Sequence, residues 1–161
     1  LYYTNNDGQA CLFIPFGNAN TVTTSFTPQE FTMSTRQVVF PAGRQALYEK
    51  NRYSPAVVSN GFLFVSGQVG SRADGSPEPD LAAQVRLAFD NLNAILLAAG
   101  TTFDNVVDVT VFMVDPARQF EEIWGTAQAY WGVAPYPTLT GIGVTWLYGF
   151  QFEIKVIARM S

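Results

Sequence analysis

The dipeptide Asn60-Gly61 constrains this chain more than any other feature. It tolerates positive φ at both central positions of a two-residue turn, and it is flanked by runs that read as strands, so residues 51–70 are expected to form a tight hairpin. The second run, Phe62 to Ser66, is apolar and ends directly in Ser66-Gly67-Gln68. A buried strand would thus open into a small polar corner. The plain reading is a hairpin and a turn. The chemical reading is that Gly67 admits close backbone approach and Ser66 offers a hydroxyl, which a small polar ligand can use.

The other elements follow in order. Gln37 to Phe40 reads as a first strand ended by Pro41-Ala42-Gly43, and 71–79 as a loop. Asp80 is placed to cap a long helix to Ala99, with Gly100 at its end. Leu81, Val85, Ala88, Phe89, Leu92, Ile95 and Leu96 form its apolar stripe, while Asp90, Asn91 and Asn93 fall off it and are expected to be solvated. Val106 to Val114 reads as a strand with Asp108 and Thr110 on one face and Val107, Val109 and Val111 on the other. After Asp115-Pro116 a second helix presents Phe120, Ile123, Trp124, Ala127, Tyr130 and Trp131, more simply core than a cofactor box. Pro135-Tyr136-Pro137 forces an extended link. Two strands follow, about Leu139 to Trp146 and Phe150 to Arg159, with a turn at Tyr148-Gly149. This order describes an α+β domain: one mixed sheet with two helices on one face. The other face must be covered, and association of copies is the economical way.

Composition narrows the function. Hydrophobic residues make up 48% of 161 and charged residues only 14%, so some apolar surface is expected to be buried between subunits. With a net charge of −4 and nine scattered Lys and Arg, phosphate neutralisation is disfavoured and no nucleic-acid partner is expected. The sequence has no histidine and one cysteine, Cys11, which removes Ser-His-Asp and Cys-His catalysis and the usual zinc sites. No apolar run is long enough for a bilayer and no signal pattern opens the chain, so the expected location is cytoplasmic, without a membrane partner. Residues 1–32 contain Asp7 and Glu30 as their only charges and allow a small hairpin around Asn6-Asp7-Gly8. Because Met33-Ser34-Thr35 looks like a translation start, 1–32 is read as an N-terminal extension, upstream or non-native, and 33–161 as the domain.

One acid stands out. Alternation in the last strand puts Phe152, Ile154, Val156 and Ala158 on one face and Glu153, Lys155 and Ile157 on the other. A carboxylate in an apolar sheet can be desolvated enough to act as a base toward water, though Glu153 and Lys155 also fit a wet sheet face.

The order Tyr53, Ser66-Gly67-Gln68, Asp80 to Gln84, Asp90-Asn91, Ala98-Ala99-Gly100, Val111-Phe112, Tyr136-Pro137 and Phe152-Glu153-Ile154 resembles the Rid family over roughly residues 36–160. These reactive intermediate deaminases are also called YjgF-like and were formerly labelled translation inhibitors or endoribonucleases. The resemblance implies a chorismate-mutase-like fold and a homotrimer with a cleft at each subunit interface. There, 2-imino or enamine acids are hydrolysed to 2-oxo acids and ammonia without metal or organic cofactor. Tyr53 would line the cleft, Ser66 and Gly67 would contact ligand, and Glu153 would activate water.

The sequence departs from that pattern at Pro137-Thr138-Leu139-Thr140, where the deaminases carry P-x-R-S: Leu139 stands in place of the arginine that grips the substrate carboxylate, followed by Thr140. Trp124 replaces a usual asparagine and reshapes the pocket, and the turn near Tyr148 is one residue shorter. Efficient hydrolysis of 2-imino acids is therefore not expected unless Arg52 or Lys155 supplies the cation. The expected function is handling of a small, largely apolar imine or enamine metabolite with Glu153 as acid and base. The alternative is a non-catalytic ligand-binding or interaction protein on the same scaffold, and ribonuclease activity ranks third.

Overall fold

A computed structural model describes residues 36–160 throughout and the backbone of 2–4 and 10–12. The chain divides into two compact units, Leu1–Thr32 and Met33–Ser161. In the first, β1 (Tyr2–Thr4) pairs antiparallel with β2 (Ala10–Leu12), as the small hairpin requires, while the turn at Asn6-Asp7-Gly8 lies outside the described residues.

The second unit runs β3 (Gln37–Val39), α1 (Gln45–Asn51), β4 (Ala56–Ser59), β5 (Phe62–Val65), β6 (Gln68–Val69), α2 (Leu81–Ala98), β7 (Val106–Val114), α3 (Pro116–Ala127), β8 (Thr138–Val144) and β9 (Phe152–Arg159). Its sheet has the order β3-β4-β5-β9-β7-β8, with β6 also on β9, and every pairing is antiparallel except β7 with β8. The last two strands are therefore not neighbours. β7-α3-β8 is a parallel crossover unit, and the chain turns at Tyr148 (φ 53°) and Gly149 (φ 92°) to place β9 on the far side of β7.

The central turn forms as expected, with Asn60 at φ 49° and Gly61 at φ 78° joining β4 to β5. The first arm of the hairpin is shorter than 51–70 suggests: the chain is still helical at Asn51, turns left-handed at Arg52 and reaches β4 only at Ala56. Helix α1, with seven residues, is too short to show a 3.6-residue period. It is composed of good helix formers, carries Lys50 in its last turn, and ends at Arg52 in a left-handed conformation.

The core lies on one face of the sheet. Val85, Ala88, Phe89, Leu92, Ile95 and Leu96 of α2 and Ile123 and Ala127 of α3 pack on Leu63, Val65, Val109, Val111, Met113 and the alternating Phe152, Ile154, Val156 and Ala158. Asp80 caps α2 by accepting from the Ala83 N–H at 2.8 Å. Val107 does not share the buried face of Val109 and Val111. A register shift between Val106 and Asp108 disturbs the alternation there, and Val107 is 41% exposed. Asn91 is tied down rather than freely solvated: its Nδ2 donates to the carbonyls of Val69 (2.9 Å) and Ser71 (3.2 Å).

Among the described residues nothing covers the opposite face of the sheet. Val38, Phe62, Phe64 and Ile142 keep 38–45% of their surface in solvent. No helix among the described residues is long and apolar enough to cross a membrane.

Phe89 tests this account of the core. It is fully buried, stacks on Tyr130 with ring centroids 4.1 Å apart and touches Phe103, Trp131 and Phe152. Phe89→Ala should cost about 3–5 kcal/mol in denaturant unfolding, whereas Val133→Ala, at a site 90% exposed, should change it by less than about 0.5 kcal/mol. Similar costs for the two would mean that the core is misplaced.

Candidate functional site

The site begins with a mismatch in the sheet. Phe64 opposes Ile157 and Gln68 opposes Ile154, so four steps along one strand face three on β9. The extra residue turns the chain out at Ser66-Gly67. Gln68, 4% exposed, closes that corner by donating from Nε2 to the carbonyls of Ser66 and Gly67, both at 3.0 Å. The Ser66 hydroxyl is not left unencumbered: it donates to the Ser54 carbonyl at 2.7 Å, and the Ser66 N–H donates to Pro55 at 2.9 Å. Its remaining capacity is to accept. The Gly67 N–H makes no hydrogen bond among the described residues and is the available donor of the corner.

Glu153 sits directly over this corner. A Cβ built on Gly67 would overlap the Glu153 carboxylate, so glycine is required by the close approach of that acid. On the sheet Glu153 lies between Val69 and Phe112. Burial among such neighbours pushes its carboxyl above the usual carboxylate range, and Lys155 pulls it part of the way back.

Tyr53 completes the group. Helix α1 ends at Arg52 (φ 58°), which turns Tyr53 so that its ring meets buried Tyr48 edge-on, 5.0 Å between centroids. The Tyr53 phenol is raised first by burial and then by the negative charge of Glu153, and Arg44 partly offsets both. Arg44 is itself anchored, Nη1 donating to the Ser71 hydroxyl and Nη2 to the Ser71 carbonyl, each at 3.0 Å. Sequence reading considered Arg52 and Lys155 as cations and missed Arg44, because the helix that presents it was not expected. Arg52 is exposed and ends that helix.

Gln84 was missed as well. Its Nε2 donates to the Glu78 carbonyl at 2.6 Å and its Oε1 accepts from the Gln151 N–H at 2.7 Å, which holds the start of β9 against α2. Gly70 lets the Gln84 backbone approach, since a Cβ there would overlap it. A buried glutamine inside an apolar stripe was the available signal.

The remaining expected residues lie elsewhere. Leu139 is in register with Val109, so it shares the helix-side face, while Glu153 is on the opposite face. Leu139 and Trp124 line a cavity of about 420 Å³ beside β8 with Gln128, Trp131, Tyr136 and Pro137. Thr140 is in register with Thr110, which opposes Lys155, and so lies on the open face. One chain thus holds two groups, Tyr53, Ser66, Gly67 and Glu153 in one and Trp124 and Leu139 in the other. Among the described residues no cluster of three or more His, Cys, Asp or Glu is placed to hold a metal ion.

The family model described as endoribonuclease L-PSP matches residues 43–160. The RutC family protein YjgH of Escherichia coli is 60% identical over 128 residues, covering 80% of this chain and 98% of that protein. The solved structure of protein YjgH superposes with a TM-score of 0.74 at 61% identity, covering 78% of this chain and 96% of that one. A 2-iminobutanoate/2-iminopropanoate deaminase of Bos taurus is 40% identical over 109 residues, covering 66% of this chain and 78% of the bovine protein.

The raised carboxyl gives a pH test. A group whose folded pKa lies above its unfolded value contributes stability that is full below the unfolded pKa and is lost as pH rises through the folded one. Glu153→Gln removes that loss. Its melting temperature should exceed the native value at neutral pH, and the gap should shrink toward about pH 4, near the unfolded carboxyl value. A gap that is constant or widens toward acid contradicts a desolvated Glu153.

Proposed function

The chain belongs to the endoribonuclease L-PSP family, the YjgF, RutC or Rid proteins, and from that premise we propose that it hydrolyses a small imine or enamine in a cleft formed between copies. The observation that carries this reading is the Glu153 carboxylate, half-buried in an apolar row and seated over Gly67. A carboxyl raised by desolvation is a better base toward water than a solvated one and can return the proton later. Glu153 takes a proton from water as its oxygen adds to the C=N carbon. A C=N that enters protonated thereby becomes a neutral carbinolamine; Glu153 returns its proton to the nitrogen, the C–N bond breaks as the hydroxyl gives up its own proton to become the C=O, and the carbonyl product leaves with ammonium. The Gly67 N–H and the Tyr53 hydroxyl supply hydrogen bonds to the polar end of the substrate. The name of the bovine relative, an iminobutanoate and iminopropanoate deaminase, supports the reaction class.

The open sheet face, which exposes Phe62, Phe64 and Ile142, favours association in which copies cover one another, and membership of the family makes a homotrimer the assembly to expect. Assembly also offers a way to unite the two groups. Glu153 and Leu139 lie on opposite faces of one sheet, so a cleft with Glu153 from one copy and Leu139 and Trp124 from the next would use both.

A second reading keeps the scaffold and the ligand but not the chemistry. Leu139 favours it, because without the arginine a carboxylate loses a charge-assisted contact of roughly 1.5–3 kcal/mol. Ribonuclease activity ranks below both, for want of histidine and of a basic stripe.

Imines released in situ by an amine oxidase or an amino-acid oxidase separate the readings. The native protein should accelerate ammonia release, and Glu153→Ala should lower the rate about 10²–10⁴-fold. Equal rates for the two proteins would remove Glu153 from the mechanism. No acceleration by the native protein across both imine sets would leave ligand binding alone.

A further inference from the structure

The cavity beside β8 has an unusual lining. Trp124, Trp131 and Tyr136 supply three aromatic walls, Pro137 and Leu139 close the apolar surface, and Gln128 is the single amide side chain; none of the six carries a formal charge. Two of the walls are braced from behind. Trp124 stacks on Phe120 with planes 8° apart, and Trp131 meets Phe89 and Phe103 edge-on at 5.8 and 6.1 Å. No stacking joins Trp124, Trp131 and Tyr136 to one another among the described residues, which leaves a space between them. At about 420 Å³ it falls within the roughly 300–1,000 Å³ of small-molecule sites.

This lining selects by charge. Aromatic faces are electron-rich, so they repel an anion held against them, and the lining offers no cation to replace the hydration that a carboxylate gives up against Trp124, Trp131 and Leu139. A flat uncharged ring keeps the stacking contacts at no such cost. The Gln128 amide has a donor and an acceptor side by side, which match an adjacent acceptor and donor on a ring edge.

We propose that this cavity binds an uncharged planar ring bearing a cyclic-amide or cyclic-imine edge, with Gln128 reading that edge and Leu139 excluding carboxylates. The inference rests on the proposed function only in taking the ring to belong to the substrate; ring binding is measurable without turnover.

The test titrates the 161-residue chain with 2-quinolone, quinoline-2-carboxylate and tetramethylammonium, following tryptophan fluorescence and melting temperature. The neutral lactam should bind saturably and raise the melting temperature, with the carboxylate at least about tenfold weaker. Gln128→Leu should weaken the lactam about three- to tenfold. Leu139→Arg, at a half-exposed position, should reverse the preference in favour of the carboxylate. The inference is overturned if the native protein binds the carboxylate as tightly as the lactam, if tetramethylammonium is preferred, or if the lactam fails to saturate. It is equally overturned if neither variant changes lactam affinity. Lactam binding without imine hydrolysis would sink the reaction and keep the ring site. Hydrolysis without lactam binding would do the reverse.

Discussion

Strand β9 is hydrogen-bonded along both edges, to β5 and β6 on one side and to β7 on the other. Its alternation therefore has no freedom: a slip of one residue would send Phe152, Ile154, Val156 and Ala158 out of the core and bury Glu153 and Lys155 against α2. The core of the second unit and the position of its acid are one constraint. Gln84 reinforces it by holding Gln151, two residues before Glu153, to the helix that covers the same strand. The irregular step between β5 and β6 then opens the ladder beside Glu153, with a glycine where the carboxylate needs room.

Much of this was legible in the sequence, for physical reasons. The Asn60-Gly61 turn, the stripe of α2 with its Asp80 cap, and the alternation of β9 all express short-range periodicities that a single chain displays openly. What was hidden depends on length or on partners. Helix α1 is only seven residues long, so its period never emerges, and with it went Arg44 and the packing of Tyr48 behind Tyr53. The displacement of Val107 needs the pairing shift on β7, and the placing of β9 beside β7 rather than β8 is a matter of topology that strand propensity does not contain. Asn91 looked like surface because it leaves the apolar stripe, yet its amide secures the segment after β6.

The candidate site shows the same division. Tyr53, Ser66, Gly67 and Glu153 converge although they are up to a hundred residues apart in sequence, and the carboxylate over Gly67 gives that convergence a steric basis. Ser66 is more committed to its own backbone than its sequence context implied, which shifts the burden of ligand contact to the Gly67 N–H. Leu139 and Trp124, adjacent to this group in motif order, face the other side of the sheet and build an apolar, uncharged cavity. A single copy has the acid and the ring-sized space, but not together. Glu153 lies on the open face, and the cleft proposed above needs a second copy on that face to bring its own Leu139 and Trp124 there.

Chemical cross-linking between copies tests that composite cleft most directly. Two chains lacking Cys11, the only cysteine, would be co-expressed, one carrying Glu153→Cys and the other Leu139→Cys, and treated with a short bismaleimide. The account predicts covalent dimers containing one chain of each kind, and little cross-linking when both substitutions are placed in one Cys11-free chain that is diluted with cysteine-free copies. Efficient cross-linking within that single chain, with none between chains in the mixture, would contradict it.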